Sequence, residues 1–391
     1  MRYGRLVGVM ITLVGCSAPS RRLPDDLIAS CRPPAGQEKD LGSFRSPLLL
    51  ADGSRATTPA QWARRRAEIL ETWHRMMGPW PPLIEAPKVD VLETSRRENL
   101  TQERVRLGIA PGGGPVDGFL LRPDGKGPFP AVLVVYYDAQ TGVGLGAKGR
   151  DFALQLARRG FVALSIGKPN SGVDLADASK VRGGPYLGPA EQPVRVQPLS
   201  MLAWVAANAH TALARRPDVD PARIGVVGHS FGGKWSLFAA CLYDKFACAA
   251  WSDPGIVFDE RDRRKQNPNG SVNYWDVWYL GFELGEVNDP AVKRAFRKLP
   301  SEGQARTGAY KALLEGGHDL VELHALMAPR PFLVSGGSAD LPERWPALNH
   351  AIEVNRLLGF DDRVAMTNRG GHDPTDESNG QICRFFEAWL R

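Results

Sequence analysis

The feature that most constrains this chain is the pentapeptide Gly228-His229-Ser230-Phe231-Gly232, because of what flanks it. Arg223 to Val227 reads as a strand, and Gly233 to about Leu242 reads as a helix. A backbone that turns sharply from strand to helix is strained at the central serine, and residues inside the turn must lack side chains. Glycines at 228 and 232 meet that demand. The serine hydroxyl is then held over the start of the helix, where the amide of Phe231 points at any negative charge that develops beside it. This strand–turn–helix setting is a nucleophile elbow.

The remaining pattern agrees with a sheet covered on both faces. Strand candidates fall at 102–109, 116–122, 131–136, 161–166, 223–227, 247–251, 331–335 and 363–367, with helical patterns between the later ones. Val132 to Val135, Ile224 to Val227 and Phe332 to Val334 are near-continuous apolar runs, as strands of a buried parallel sheet require. Early antiparallel strands followed by strand–helix alternation predict an α/β-hydrolase fold, a mostly parallel central sheet with helices on both faces, over residues 58–391. Its first helix starts at Thr58-Pro59-Ala60-Gln61, a capping box with proline at the first position, and ends at Gly78-Pro79. Two insertions, about 168–200 and 259–318, follow strand ends and are expected to shape the site.

The N-terminus reads as an export signal. Arg2 and Arg5 precede the apolar run Leu6 to Val14, too short to span a bilayer, and Leu13-Val14-Gly15-Cys16 resembles a bacterial lipobox. Residues 1–15 are therefore expected to be removed, with Cys16 lipidated and residues 16–57, rich in Pro, Gly, Ser and charge, acting as a tether. An exported lipoprotein of the cell envelope follows, bound to the membrane through that lipid. Cys31, Cys241, Cys248 and Cys383 are then available for disulfides, but spacing does not fix a pairing. Cys241 and Cys248 fall in a helix and a buried strand, where a reduced cysteine is expected.

A serine hydroxyl needs a base, and seven histidines compete for that role. His74 and His210 lie on helices upstream of the elbow, His229 adjoins Ser230 and points away, and His318, His324 and His350 come before the last strand. His372, in Arg369-Gly370-Gly371-His372-Asp373, follows the final strand and is the expected base. Two carboxylates could orient it. The usual chain order serine, acid, histidine favours Asp340, in Gly336-Gly337-Ser338-Ala339-Asp340, over Asp253, in Trp251-Ser252-Asp253-Pro254-Gly255. The second oxyanion donor is expected from the backbone near Tyr137 or Asp138. No His/Cys/Asp/Glu cluster has metal-ligand spacing and no phosphate loop is complete, so neither metal nor cofactor is expected. The net charge of +6 is scattered without a basic run, which argues against a nucleic-acid partner.

Several stretches together resemble the glucuronoyl esterases of carbohydrate esterase family 15 and their acetyl esterase relatives. Gln61 to Ile69, closing on Gly78-Pro79-Trp80-Pro81-Pro82, is similar to that family's N-terminal helix, and Asp319 to Glu322 running into Ala325 to Pro331 is similar to a later segment. Gly228, Ser230, Gly233 and Lys234 match the family's elbow. The resemblance implies that Lys234 binds sugar hydroxyls, that Trp275 flanks the sugar, and that an acid can stand at Asp253. His229 and Phe231 depart from the pattern, which has cysteine and arginine there. The arginine's charged oxyanion donor is missing, and one donor is worth roughly a hundredfold in rate or more.

The expected function is a serine esterase that acts on carbohydrate esters, acetylxylan esterase-like or glucuronoyl esterase-like, through an acyl-enzyme. A prolyl-oligopeptidase-type peptidase is the competing enzyme, but such enzymes carry a large gating domain for which this chain has no room. The non-enzyme alternative is a carbohydrate-binding protein on a dead scaffold, yet serine and histidine are both present.

Overall fold

A computed structural model describes residues 23–169, 192–261, 272–286, 299–300 and 305–391. The expected signal peptide, Cys16 and parts of both expected insertions lie outside the described residues.

Nine strands form one sheet: β1 (Val89–Arg97), β2 (Leu100–Ala110), β3 (Gly114–Pro123), β4 (Phe129–Val135), β5 (Val162–Ile166), β6 (Val219–His229), β7 (Cys248–Ser252), β8 (Phe332–Gly336) and β9 (Val364–Asn368). Their order is β1-β2-β3-β5-β4-β6-β7-β8-β9. β1, β2, β3 and β5 pair antiparallel, and all pairs from β5 through β4 to β9 are parallel. The fold is an α/β-hydrolase fold. Eight strands were expected from the sequence. The ninth, β1, is largely exposed and rich in charge, so it shows no apolar run.

The apolar runs are continuous because alternate residues enter different layers. Ala131, Leu133 and Val135 of β4 join the core that holds helices α1 (Pro59–Met77), α3 (Pro198–Ala214) and α4 (Phe231–Leu242). Val132 and Val134 join the core on the opposite face, with α2 (Phe152–Ala157) and the C-terminal helix α8 (Asp376–Leu390). Between these last two helices along the chain come α5 (Gly308–Glu315), α6 (Val321–Leu326) and α7 (Trp345–Leu357). α4 is buried on every side, which explains why its sequence, Lys234 and Ser236 apart, is apolar all round.

α1 has the expected cap: Thr58 accepts from the Gln61 amide, and the Gln61 side chain accepts from the Thr58 amide. It buries Trp62, Arg65, Ile69, Trp73 and Met77 along one stripe. Gly78 ends it at φ 90°, with the Arg195 carbonyl 1.9 Å from where a Cβ would stand. The two stretches that carried the family resemblance meet here. Glu322 of α6 is buried and accepts from Arg65 at 3.3 Å and from Trp73 Nε1 at 2.9 Å.

From residue 23 on, the stretch expected to act as a tether packs against the domain. Leu23, Leu27, Cys31, Leu48, Leu50 and Ala56 are buried, and Asn349 of α7 donates to the carbonyls of Gln37 and Asp40. Pro and Gly in this stretch make turns that lie against the domain, and its sparse leucines anchor them. Cys31, Cys241, Cys248 and Cys383 are all buried as free thiols, with Cys241 on α4 and Cys248 on β7 as expected. Among the described residues no helix is long and apolar enough to cross a membrane.

Candidate active site

The elbow is strained where the sequence requires it. Ser230 has φ 55°, ψ −111°, a region that side chains rarely occupy. A Cβ on Gly228 would stand 2.2 Å from the Gly232 carbonyl oxygen, and one on Gly232 would stand 2.0 Å from that of Val135. Both positions therefore exclude any side chain. The Ser230 amide donates to the Ser252 carbonyl at 2.8 Å, which ties the turn to the end of β7. Phe231 is the first residue of α4, where no intrahelical acceptor exists for its amide.

The Ser230 hydroxyl lies 2.8 Å from His372 Nε2. On the other side of the ring, His372 Nδ1 lies 2.6 Å from Asp253 Oδ2. An ionised carboxylate only accepts, so Nδ1 carries the proton and Nε2 is left to accept from the serine. Ser230, His372 and Asp253 thus form one hydrogen-bonded chain.

The preference for Asp340 does not survive. Asp253 follows β7 at φ 50°, wholly buried, and also accepts from the amides of Gly337, Ala339 and Asp340 at 2.7, 3.1 and 3.0 Å. Asp340 is wholly buried as well, but its carboxylate accepts from the amides of Gly255 and Ile256 at 2.8 and 2.7 Å. Only its backbone faces the partner of His372. Burial, and after it the charge of Asp253, pushes Asp340 up to about 6, while Arg344 and the two amides pull it back.

Arg369 was quoted in the histidine loop without a role, and the structure gives it one. Its guanidinium donates to the Ser335 carbonyl at 2.8 Å, the Ser252 hydroxyl at 3.2 Å and the His372 carbonyl at 2.6 Å. It therefore pins the loop after β9 to the ends of β7 and β8. His229 packs 4.6 Å from His372, ring centroid to centroid, with Nδ1 3.1 Å from the Ser252 carbonyl. Burial holds it well below the usual histidine range, so it sets a neutral ring beside His372.

Tyr137 stands at the end of β4, as expected of the strand that neighbours the elbow. Its ring stacks on Phe231 at 4.1 Å and 12°. Trp278 meets both rings edge-on, at 5.9 and 6.2 Å. Asp138 caps the short turn Ala139–Gly142 by accepting from the Thr141 amide at 2.8 Å.

Two residues were named from the resemblance, Lys234 and Trp275, and both pack against protein. Lys234 is 1 % exposed: its ammonium donates to the Pro254 carbonyl and lies 4.3 Å from the Tyr274 ring and 5.3 Å from that of Tyr279. Burial pulls it down to about 7. Helical spacing after Ser230 turns this side chain into the protein, so it does not face an open cleft. Trp275 is half-buried and packs edge-on against Tyr310 at 6.3 Å. Trp278, three residues on, is the one of the two that meets Phe231, as does Trp235 of α4. Sequence spacing alone could not tell which of the two the chain turns inward. Among the described residues no group of His, Cys, Asp and Glu could hold a metal ion.

No protein-family model matches the sequence, and no curated protein matches it. Solved structures do match. A glucuronoyl esterase from Solibacter usitatus is 18% identical with TM-score 0.62, covering 90% of this chain and 98% of that one. A promiscuous esterase of carbohydrate esterase family 15 from a marine bacterial metagenome is 16% identical with TM-score 0.62, covering 89% and 97%. A glucuronoyl esterase of that family from Caldicellulosiruptor kristjansonii is 20% identical with TM-score 0.59, covering 90% and 91%. The solved structures that this chain resembles thus include those of the family whose motifs its sequence echoes, and the fold it shares with them is the α/β-hydrolase fold.

Proposed function

We propose that this chain is a serine esterase that removes acyl groups from carbohydrate esters. The observation that carries the proposal is the continuous path from Asp253 through His372 to Ser230, at 2.6 and 2.8 Å. In this reading Ser230 Oγ attacks the ester carbonyl carbon as its proton passes to His372 Nε2. The carbonyl oxygen takes the negative charge and is met by the Phe231 amide and by backbone at the end of β4 near Tyr137. The intermediate then expels the alcohol, which takes the proton from His372, and Ser230 is left acylated. Water, activated by His372, attacks the acyl carbon, and the acid and free serine are released. Asp253 holds the imidazole in the tautomer this sequence needs and stabilises the imidazolium between steps.

The likeness to glucuronoyl esterases supports a carbohydrate ester as substrate. Phe231 narrows it, because its ring is enclosed by Tyr137 and Trp278 and brings no charge to the oxyanion. We therefore favour acetyl esters on a sugar over esters of the uronic carboxyl group. Acetylated xylan and a glucuronate benzyl ester, offered in parallel, test this: release of acetate with no cleavage of the benzyl ester is expected, and the reverse would restore the uronoyl reading. We further propose that the enzyme is exported and held at the cell envelope through lipidated Cys16.

A further inference from the structure

We infer that the groove between the glycine-rich loop after β4 and the start of α8 binds a neutral oligosaccharide, the sugar chain that carries the ester to Ser230. This rests on the esterase reading and adds a second binding site for the same substrate.

The groove has a volume of about 760 Å³, within the range of roughly 300–1,000 Å³ usual for ligand clefts. One wall is the loop between Gly144 and Gly149, and another is Asp376 and Gly380 of α8. Asp151, Gln155, Arg158 and Arg159, on and beside α2, close it. These walls are braced. Asn379 of α8 donates to the Gly149 carbonyl at 2.8 Å, and Arg150 pairs with Asp373 at 2.5 Å. Asp373 directly follows His372, so the brace that fixes the groove ends on the loop that bears the base.

The chemistry of the walls narrows the ligand. Arg158 donates to both oxygens of Glu98, at 3.0 and 2.5 Å, and Arg159 donates to Glu387 at 3.4 Å. The guanidinium charges are thus met within the protein, and Lys148, Asp151 and Asp376 leave both signs on the walls. Neither a phosphate nor a metal ion meets a surplus of opposite charge there. Of the residues that line the groove, Ala147 alone has a hydrocarbon side chain, so an acyl chain would bury little apolar surface. Donors and acceptors close to balance suit a ligand with many hydroxyls and no charge.

Gly380 points the same way. It is the fifth residue of a 15-residue helix, where glycine costs stability against alanine. Outside the helix's own backbone, a Cβ there would meet, among the described residues, only the far end of the Arg384 side chain, at 3.2 Å. Packing within the protein therefore does not require glycine at this position. Without a side chain there, the groove stays open and a ligand can approach the helix backbone closely.

The test uses the full-length protein with unacylated xylohexaose, acetylated xylohexaose and 4-nitrophenyl acetate. Calorimetric titration with unacylated xylohexaose is expected to saturate, and titration with inorganic phosphate to show no binding. Gly380→Trp, which fills the groove, should weaken hexaose binding by about tenfold or more. It should lower kcat/KM on the acetylated hexaose by a similar factor through KM, and leave 4-nitrophenyl acetate hydrolysis within about twofold. Gly380→Ala should keep hexaose binding and raise Tm. If Gly380→Trp does not fold, Gly380→Gln takes its place. Absence of hexaose binding in the wild type, phosphate binding in its stead, or a filled groove that leaves both binding and KM unchanged overturns the inference. Hexaose binding by a protein that hydrolyses neither ester would instead strike the esterase reading and leave the groove standing.

Discussion

The loops after β7 and after β8 each carry a wholly buried aspartate at the same end of the sheet, yet they do different work. Asp253 meets the imidazole of His372, while Asp340 meets only backbone amides and, at 3.8 Å, Arg344. The two loops are reciprocal: amides of 337, 339 and 340 hold the Asp253 carboxylate, and amides of 255 and 256 hold that of Asp340. What separates them is one backbone angle. Asp253 takes a left-handed φ of 50°, a conformation that aspartate tolerates better than most residues, and so turns its side chain toward the histidine loop. Chain order does not decide which carboxylate serves the base; the local turn does.

The strongest way to break this comparison is Asp253→Asn. It leaves His372 free to take the wrong tautomer, and turnover on a soluble acetyl ester should fall roughly ten-thousandfold with KM little changed. A mutant that keeps a tenth of the wild-type turnover would remove Asp253 from the site. Arg369→Ala comes next, because it releases the histidine loop from the ends of β7 and β8 without touching the reacting atoms. A displacement of about 1 Å costs on the order of a hundredfold in turnover, and Arg369→Lys should recover part of it. Equal losses in the alanine and lysine variants would argue against a positioning role.

Asp340→Asn should have the smallest kinetic effect, about tenfold or less, and its signature lies in stability. Because Asp340 is pushed up to about 6, the folded protein holds this proton more tightly than the unfolded chain does. Its contribution is complete below about pH 4 and is lost as pH rises through about 6. Urea unfolding between pH 4.5 and about pH 7.5 should therefore show the wild type losing stability relative to Asp340→Asn across that window. Parallel curves would assign the proton elsewhere, and a ten-thousandfold turnover loss confined to Asp340→Asn would reverse the whole comparison.

What the sequence made legible was local. The elbow glycines, the capping box at Thr58 and Gln61, and the two-faced apolar runs are each imposed by short-range sterics or period, and each stands as expected. His372 was found by its place after the last strand. The acid was not, since Asp253 and Asp340 both follow buried strands and differ only in a turn that residue types do not encode. β1 was missed because an exposed edge strand needs no apolar pattern. The segment from Leu23 to Thr57 looked like a tether because few anchors among many polar residues suffice to hold a chain against a formed surface. Lys234 and Trp275 were named by resemblance, and their surroundings, a buried ammonium on the Pro254 carbonyl and a ring packed on Tyr310, were not legible in residue types.

The central claim is that Ser230 is the nucleophile of an acyl-enzyme, and covalent capture tests it most directly. The purified protein is incubated with a fluorophosphonate, digested, and the modified peptide is located by mass spectrometry, with Ser230→Ala and Asp253→Asn run beside it. The account predicts stoichiometric modification at Ser230, none in Ser230→Ala, and labelling slowed by orders of magnitude in Asp253→Asn. Modification at another residue, or ester hydrolysis that persists in Ser230→Ala, would contradict it.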